Sequence, residues 1–394
     1  MKFDNLLRYA IRILTAYKGE KPLTGWLRNF FRENPQMGSR DRKQVSEMVY
    51  CYFRLGHALK NISAEERILS GLFLSNQIPE PILEYLRPEW HMQIEKPLEE
   101  KLEILCKSHP EFNLLEIFPW QNALSLGVDH RAYCLSFLEK PLLYIRARPG
   151  QEQTMLRKLE ESELPFINAD LLGELPFKTW SFAGGTKLDD LFVLNREAVV
   201  QDISSQRTAL ILKPDSKREF EVWDCCAGSG GKSILISDLF PGCHVTVSDM
   251  RDSILKNLTT RLGEAGIRPV NQFQADLTDQ NDMPRQSFNF ITADLPCTGS
   301  GTWSRNPEAL FYFDPQTISN YRQRQGKILS NIITRLKPVG ILVYITCSVF
   351  AEENERITTQ LLESGSMQLE QQELILGYGK QADSMYAARF MKIR

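Results

Sequence analysis

The sequence predicts an α/β protein: an all-helical N-terminal part, a small α/β module, and a doubly wound, mostly parallel sheet. Three observations support this prediction. Apolar residues recur at helical spacing through residues 1–75. Apolar and polar residues begin to alternate at Pro141, as they do in strands. From about residue 216, strands alternate with helices, which is typical of a sheet covered by helices on both faces.

The helical part is predicted to comprise residues 1–75, followed by a helical linker at 76–140. Leu6 and Val45 belong to the apolar faces of the first helices. Prolines interrupt the linker repeatedly, so its helices should be short. Residues 1–60 hold 12 Lys and Arg against 5 Asp and Glu, which fits either a nucleic-acid contact or an ordinary solvated helix surface.

Residues 141–215 are predicted to form the small α/β module, and residues 216–394 the larger sheet domain. In the module, a strand containing Leu143 and Ile145 precedes a helix at 151–161. In the larger domain, strands are predicted at 219–225, 244–249, 271–276, 288–294, 339–346 and 386–392, and helices at 231–240, 252–264, 316–336 and 352–363. A sheet of this kind binds its ligands at the carboxyl ends of the strands.

Length and composition exclude several classes of protein. With 394 residues, of which 42% are hydrophobic and 24% charged, the chain fits a soluble globular protein of two or three domains. No apolar run approaches the ~20 residues of a membrane span, and the N-terminus lacks the features of a secretory signal. The eight cysteines form no C-x-x-C pair, so we expect no metal site, no disulfide scaffold and a cytoplasmic location.

A glycine-rich turn follows the first strand of the sheet domain, from Gly228 to Ser233. A phosphate-binding P-loop would need glycine at the position of Cys226, and a dinucleotide site would need it at the position of Ser233. Glycines would also let the backbone approach S-adenosylmethionine closely. Such a site calls for an acidic residue at the end of the second strand, where it can bind the ribose hydroxyls. Asp249 fits, although dinucleotide enzymes use an acid there too.

Carboxylates also end the third and fourth predicted strands, at Asp276 and Asp294. Each alone is as consistent with a helix cap or a turn as with a ligand site. Carboxylates are rarely buried without partners, so an acid at the end of three successive strands favours a function. With the glycine turn, these residues indicate a cofactor site in which Asp276 would lie on the adenine side of a nucleoside.

Two cysteines occupy positions where such sheets bind ligands. Cys297 follows the fourth strand in Asp294-Leu295-Pro296-Cys297, and Cys347 follows the fifth in Thr346-Cys347-Ser348. Adjacent parallel strands would bring both thiols into one cleft. Cytosine C5 does not attack a sulfonium methyl unaided, but a thiolate that adds to C6 makes C5 nucleophilic. A carboxyl such as Asp294 would balance charge at N3, so these residues point to methyl transfer onto cytosine.

Four segments then carry a resemblance to a known family. They are Val200 to Gln206, Asp224 to Lys232, Asp294 to Gly301 with Arg305-Asn306-Pro307-Glu308, and Thr346-Cys347-Ser348 followed by Glu352-Glu353-Asn354-Glu355. In this order they resemble the RsmB/Sun-type RNA cytosine-5 methyltransferases. The segment Gly38-Ser39-Arg40-Asp41-Arg42-Lys43 is similar to the NusB-like helical domain of ribosomal RNA members. The resemblance implies RNA binding by residues 1–75 and RNA contacts by 141–215.

For residues 216–394, the resemblance implies a Rossmann-like, S-adenosylmethionine-dependent methyltransferase domain that forms 5-methylcytosine in RNA. Cys347 would be the nucleophile, Cys297 the cysteine that helps release the product, and Asp294 the third catalytic group. The cofactor would contact Cys226, Ala227, Gly228, Ser229, Gly230, Gly231, Lys232, Asp249, Asp276 and Asp294. DNA cytosine methyltransferases use the Pro-Cys cysteine instead, so the choice of Cys347 rests on the family.

We expect 16S ribosomal RNA as the substrate and a monomeric protein, without DNA or a membrane as partner. Transfer RNA is the first alternative, because the catalytic motifs do not choose between RNAs. A non-catalytic RNA-binding assembly factor is disfavoured by the presence of Cys297, Cys347 and Asp294. A nicotinamide dehydrogenase is disfavoured by Ser233 and by the paired thiols.

Overall fold

The computed structural model describes residues 3–169, 174–212 and 220–393, and the chain divides into two compact units. The first, called the helical unit, consists of Met1–Leu124, Val128–Lys140 and Thr302–Pro315. The second, called the α/β unit, consists of Ser125–Gly127, Pro141–Gly301 and Gln316–Arg394. The predicted finer division into four segments stays a prediction, and its boundary at residues 215 and 216 lies outside the described residues.

The helical unit is all-helical among its described residues, as the N-terminal periodicity predicted. Its helices are α1 (Phe3–Ala16), α2 (Leu23–Glu33), α3 (Ser39–Arg54), α4 (Ala64–Ser75), α5 (Pro81–Leu86), α6 (Pro88–His91), α7 (Leu98–Ser108) and α8 (His130–Ser136), with the later α14 (Pro307–Phe311). Ser63 caps α4 by accepting a hydrogen bond from the Glu66 amide at 3.1 Å. Prolines open both α5 and α6, which explains why these helices are short and begin where they do.

Residues 302–315 pack within the helical unit although they follow the fourth strand of the sheet domain in sequence. The buried Arg54 side chain donates to the Ser304 carbonyl oxygen at 3.1 Å and to the Phe137 carbonyl oxygen at 2.9 Å. The Glu308 carboxylate accepts a hydrogen bond from the Leu23 amide at 3.1 Å. The Arg305-Asn306-Pro307-Glu308 motif therefore lies in the helical unit.

The α/β unit contains a small antiparallel sheet in the order β2-β3-β1-β4. Its strands are β1 (Leu143–Ala147), β2 (Ile167–Asn168), β3 (Thr179–Phe182) and β4 (Ala198–Val200). Helix α9 (Glu152–Glu161) packs Met155 and Leu159 into the apolar core of this sheet. The short helices α10 (Ile203–Arg207) and α11 (Ala209–Leu212) follow β4. The strand and helix predicted from Leu143 to residue 161 are thus present.

A seven-stranded sheet forms the rest of the α/β unit, in the order β10-β11-β9-β8-β5-β6-β7. Its strands are β5 (Glu221–Asp224), β6 (His244–Asp249), β7 (Asn271–Gln274), β8 (Phe288–Asp294), β9 (Leu336–Thr346), β10 (Met367–Ile375) and β11 (Met385–Lys392). The five strands from β5 to β9 pair in parallel, and β11 and β10 are added antiparallel. This confirms the predicted Rossmann-like α/β class, with one strand, β10, that was not predicted.

Helices cover both faces of the large sheet. Successive strand residues point to opposite faces, and both faces carry apolar side chains that the helices bury. Val222 of β5 belongs to one apolar core and its neighbour Trp223 to the other. The helices are α12 (Gly231–Leu239), α13 (Asp252–Glu264), α15 (Thr317–Ile333) and α16 (Glu355–Glu363). In the described part of the chain, no helix is long and apolar enough to span a bilayer. Within the same residues, no group of three or more His, Cys, Asp or Glu side chains is arranged to hold a metal ion.

Candidate active site

A cavity of about 580 Å³ opens at the carboxyl ends of the parallel strands of the α/β unit. The strand order reverses at β5, with β6 on one side and β8 on the other, and this is where doubly wound sheets bind ligands. Of the predicted site residues, those that line the cavity are Cys226, Ala227, Gly228, Ser229, Gly231, Lys232, Asp249, Asp276, Asp294, Cys297 and Cys347. Gly230 is the predicted site residue that does not line it.

The glycine turn is shaped by two residues with left-handed backbone conformation. Gly228 has φ +53° and Gly230 has φ +88°, and residues other than glycine rarely adopt such backbone angles. At Gly230, a Cβ atom would come within 2.6 Å of the Leu258 Cδ1 atom. Gly230 therefore packs against α13 and starts α12, while nothing lies within 4 Å of the point where Gly228 would carry a Cβ. That open space leaves the backbone accessible to a ligand.

Two carboxylates face the same cavity and are held by local hydrogen bonds. Asp249 Oδ2 accepts a hydrogen bond from the Gly228 amide at 3.1 Å, and its Oδ1 accepts one from the Arg251 amide at 2.9 Å. Asp276, two residues beyond β7, accepts hydrogen bonds from the Thr278 amide at 3.0 Å and hydroxyl at 2.8 Å. These bonds lower the pKa of Asp276, so it presents a charged acceptor. Open backbone and fixed carboxylates fit a nucleoside-containing cofactor.

Lys232 of the glycine turn reaches across the cavity floor to Asp294. Its ammonium nitrogen lies 3.1 Å from Asp294 Oδ2 and donates to the Ser205 hydroxyl at 2.8 Å. Gln201 completes this group, because its side-chain amide donates to Ser205 Oγ at 3.1 Å. Sequence reasoning assigned no site role to Ser205 or Gln201, although both lie in the Val200 to Gln206 segment that carried part of the resemblance.

Asp224, beneath the glycine turn, is a buried carboxyl that the predicted site did not include. Its Oδ2 accepts a hydrogen bond from the Ser233 hydroxyl at 2.6 Å, while Oδ1 is buried without a hydrogen-bond partner. Burial raises the pKa of Asp224 to about 7, and the charges of Asp294 and Asp249 add to the rise. Asp224 therefore changes charge near neutral pH.

The two predicted catalytic cysteines lie in contact. Cys347 follows β9 and Cys297 follows β8, and their Sγ atoms are 3.3 Å apart. The hydrogen bond with Cys347 and burial raise the pKa of Cys297 well above its ordinary value. Either thiol can donate the hydrogen bond that joins the two sulfurs.

The loops that carry the cysteines are packed closely against each other. The Gly301 amide donates to the Cys347 carbonyl oxygen at 2.9 Å, and the Leu295 amide donates to the Ile345 carbonyl oxygen at 3.0 Å. A Cβ atom at Gly301 would lie 2.0 Å from the Ser384 carbonyl oxygen, so only glycine fits there. Asn354 braces the second loop, accepting a hydrogen bond from Thr346 Oγ1 at 2.6 Å.

This geometry can be compared with known proteins. The family described as 16S rRNA methyltransferase RsmB/F matches residues 209–391, which carry the glycine turn and both cysteines. Residues 209–391 are therefore similar to the RsmB/F methyltransferase family. The predicted resemblance to RsmB/Sun-type enzymes is therefore confirmed. The match to a methyltransferase family supports S-adenosylmethionine as the cofactor, and the cavity residues fit it.

Curated relatives support the same family resemblance. The chain is 30% identical over 202 residues to the ribosomal RNA small subunit methyltransferase B of Salmonella paratyphi A, and also to that of Salmonella heidelberg (strain SL476). Each match covers 49% of this chain and 46% of the relative, so it spans about half the length of the curated relatives.

Two crystal structures share the fold. One is that of PH0851, with a TM-score of 0.68, 19% identity and 93% of each chain covered. The other is a methyltransferase homologue from Pyrococcus horikoshii, with a TM-score of 0.57 and 20% identity, covering 68% of this chain and 92% of that one. At these identities the likeness concerns the fold alone.

Proposed function

We propose that the protein transfers a methyl group from S-adenosylmethionine to C5 of a cytosine in RNA, through a covalent bond between Cys347 and C6 of the base. The observation that carries this proposal is the pair of thiols in contact, 3.3 Å apart, in the cavity that Asp294 and the glycine turn also line. A cofactor turn alone would suit many transferases. Two thiols beside it suit addition to an unsaturated ring and later elimination.

In the first step, the thiolate sulfur of Cys347 forms a bond to C6 of the cytosine ring with its own electron pair. The C5–C6 π bond breaks, and its electrons make C5 nucleophilic, as in an enamine. The thiolate is the reactive form of cysteine. A hydrogen bond from one thiol of the pair stabilises a thiolate on the other, because the two sulfurs are 3.3 Å apart. The choice of Cys347 rather than Cys297 as the nucleophile rests on the family resemblance.

Asp294 balances the charge that develops on the ring. Its Oδ2 is fixed by Lys232, which orients the carboxyl in the cavity, and after taking up a proton from solvent Asp294 would deliver that proton to N3 as the sulfur adds. S-adenosylmethionine supplies an electrophilic methyl group to this site. The backbone at Gly228 and the carboxylates of Asp249 and Asp276 would hold it.

Elimination restores the ring and the enzyme. A base removes the C5 proton, the C–H electron pair reforms the C5–C6 double bond, and the Cys347 thiolate leaves with its own electron pair. N3 returns its proton to Asp294. We assign Cys297 to this stage as the group that assists release, because its sulfur contacts that of Cys347.

We further propose small-subunit ribosomal RNA as the substrate, with 16S rRNA as the first choice. The RsmB/F family and the names of the curated relatives support this choice. The target base would leave its stack to enter the cavity. RNA binding by a NusB-like helical domain in residues 1–75 is part of the same proposal, supported by the helices there and by the basic residues 1–60. We expect the protein to act as a cytoplasmic monomer.

Methyl transfer from labelled S-adenosylmethionine to unmodified 16S rRNA and to transfer RNA tests the proposal. Wild-type turnover should be lost in Cys347→Ala, and Cys297→Ala should accumulate an RNA adduct that survives denaturation. Cys106→Ala is the matched control, because that cysteine is exposed in the helical unit. An adduct in Cys347→Ala would reverse the two roles, and transfer that survives both substitutions would refute the covalent mechanism. Labelling of transfer RNA alone would replace the proposed substrate.

A further inference from the structure

Glu353 is a fully buried carboxylate that contacts the loops of both cysteines. It ends a 3₁₀ turn, Ala351–Glu353, between β9 and α16. Its Oε1 accepts a hydrogen bond from the Thr298 amide at 2.9 Å, and its Oε2 accepts one from the Thr298 hydroxyl at 2.6 Å. Oε2 also accepts a hydrogen bond from the Ser348 hydroxyl at 2.6 Å. Thr298 follows Cys297 in the chain, and Ser348 follows Cys347.

A third element joins the same carboxylate. Gln325 of α15 donates its side-chain amide to Glu353 Oε1 at 3.2 Å and to the Pro296 carbonyl oxygen at 2.9 Å. One carboxylate thus connects the residue after each cysteine with a helix that also holds the residue before Cys297. Loss of this acceptor would take hydrogen bonds from the backbone and hydroxyl of Thr298 and from the buried Ser348 hydroxyl, which is costly, so the carboxylate helps to fix where both loops lie.

The charge of Glu353 also acts on the thiols. Burial raises the pKa of Glu353, and the hydrogen bonds from Ser348, Thr298 and Gln325 oppose that rise by favouring the ionised form. The negative charge contributes to the raised pKa of Cys297, after the hydrogen bond with Cys347 and burial. Tyr321 of α15 and Tyr344 of β9 are further titratable groups that interact with Cys297.

We propose that Glu353 is a positioning residue for the methyl transfer proposed above: it holds the two cysteine sulfurs in contact and places a negative charge beside the loops that carry them. The inference rests on the proposed function for its catalytic consequence. Its geometric and electrostatic content concerns the thiols themselves and can be measured without RNA. A carboxylate that served only to stabilise the fold would hold the loops without affecting the pKa of Cys297.

The decisive variant is Glu353→Gln, which has the same shape and lacks the charge. Glu352→Gln is the matched control, because Glu352 is the preceding residue and is partly exposed in an ion pair with Arg322. The rate of iodoacetamide alkylation of each cysteine is measured against pH by peptide mass spectrometry. We expect the profile of Cys297 to move to lower pH in Glu353→Gln and to coincide with wild type in Glu352→Gln. Unchanged profiles in both variants, or the same shift in both, would overturn the proposal.

Kinetics give the second readout. With sulfur positions disturbed, we expect kcat in Glu353→Gln to fall about tenfold or more, since misplacement of catalytic groups by about 1 Å can cost about 100-fold. KM for S-adenosylmethionine should stay within about twofold, because Glu353 does not line the cofactor cavity. An increase in that KM with kcat unchanged would contradict a positioning role.

A second variant and the alkylation assay keep the proposal testable if Glu353→Gln does not fold or no RNA is methylated. If Glu353→Gln fails to fold, Thr298→Val removes one hydroxyl bond to Glu353 and keeps the charge. It should lower kcat without raising KM for S-adenosylmethionine, and an unchanged kcat would oppose the proposal. If the wild-type protein methylates none of the RNAs, the proposed function fails. The alkylation profiles then still decide whether Glu353 governs the thiols.

Discussion

Asp238, in the last turn of α12, is buried between two arginines from the small antiparallel sheet. Arg146 of β1 donates to Asp238 Oδ2 at 2.6 Å, and Arg148 donates to Oδ1 at 2.8 Å. The Arg146 side chain is fully buried and lies over the Phe177 ring, 4.8 Å from its centre. Replacing Asp238 by Asn removes the negative charge to which both arginines donate. It also turns one acceptor oxygen into an amide donor that faces an arginine.

The expected cost follows from the burial. Removing one partner of a buried ion pair costs about 3–5 kcal/mol, because the remaining charge stays out of water without compensation. At about 1.4 kcal/mol per tenfold change, the unfolded population of the α/β unit should rise between about 10²- and 10⁴-fold. Glu373→Gln is the matched control. Its ion pair with Arg207, at 2.9 Å, is about one quarter exposed on each side and should be worth about 1 kcal/mol or less.

Native-state hydrogen exchange in increasing urea is the suitable assay, because the chain has two units that need not unfold together. Amides of β1 and α12 should lose protection in Asp238→Asn by the stated amount and change little in Glu373→Gln. The double variant Arg146→Met with Asp238→Leu should cost less than Asp238→Asn alone, because the fully buried charge of Arg146 is removed as well. Arg148, whose side chain is 13% exposed, loses its bond to Asp238 but keeps its bonds to the carbonyl oxygens of Asn195 and Ala265. Equal costs for Asp238→Asn and Glu373→Gln would refute the reasoning.

Two further predictions concern backbone strain and pH. Val339 has φ +58° and is 67% exposed. This left-handed backbone conformation costs most L-residues about 1–2 kcal/mol, and Asn adopts it more readily. Val339→Asn should therefore raise the free energy of unfolding, measured by urea titration, by about 1 kcal/mol. A lower urea midpoint would contradict this. For Asp224, the pKa rises on folding from 3.8 to about 7, so the protein should lose stability as pH increases through that window. Asp224→Asn should flatten this part of the stability profile, and an unchanged slope would show that other groups produce it.

Much of the large sheet could be predicted because its strands are buried on both faces. The predicted ranges 244–249 and 288–294 coincide with β6 and β8, whose apolar runs end in polar turns. The unpredicted strand β10 lies at the sheet edge, and most of its residues are polar and solvent-accessible. Its strand conformation comes from antiparallel pairing with β11, which a local sequence pattern does not reveal. The packing of residues 302–315 in the helical unit likewise depends on partners distant in sequence.

The candidate site was predictable to the extent that it lies at strand ends. Asp249, Asp294, Cys297 and Cys347 follow parallel strands, and the carboxyl ends of adjacent strands lie side by side, so their convergence follows from topology. The hydrogen-bond partners of these residues do not follow from the sheet topology. Glu353 is one acid among several in its segment, and only the packed structure distinguishes it from the partly exposed Glu352 by its bonds to both cysteine loops.

A continuous series of hydrogen bonds makes the small antiparallel sheet part of the candidate site. It runs, with distances of 2.6, 2.8, 3.1, 2.8 and 3.1 Å, through Asp238, Arg146, Gln201, Ser205, Lys232 and Asp294. Lysine side chains lose considerable rotamer freedom when they are fixed in one position. Ser205 helps to fix the Lys232 side chain by accepting a hydrogen bond from it. Ser205 also accepts a hydrogen bond from Gln201, whose side-chain oxygen accepts one from the buried Arg146. The orientation of Asp294 therefore depends on β1 and the residues after β4, as well as on the strand to which Asp294 belongs.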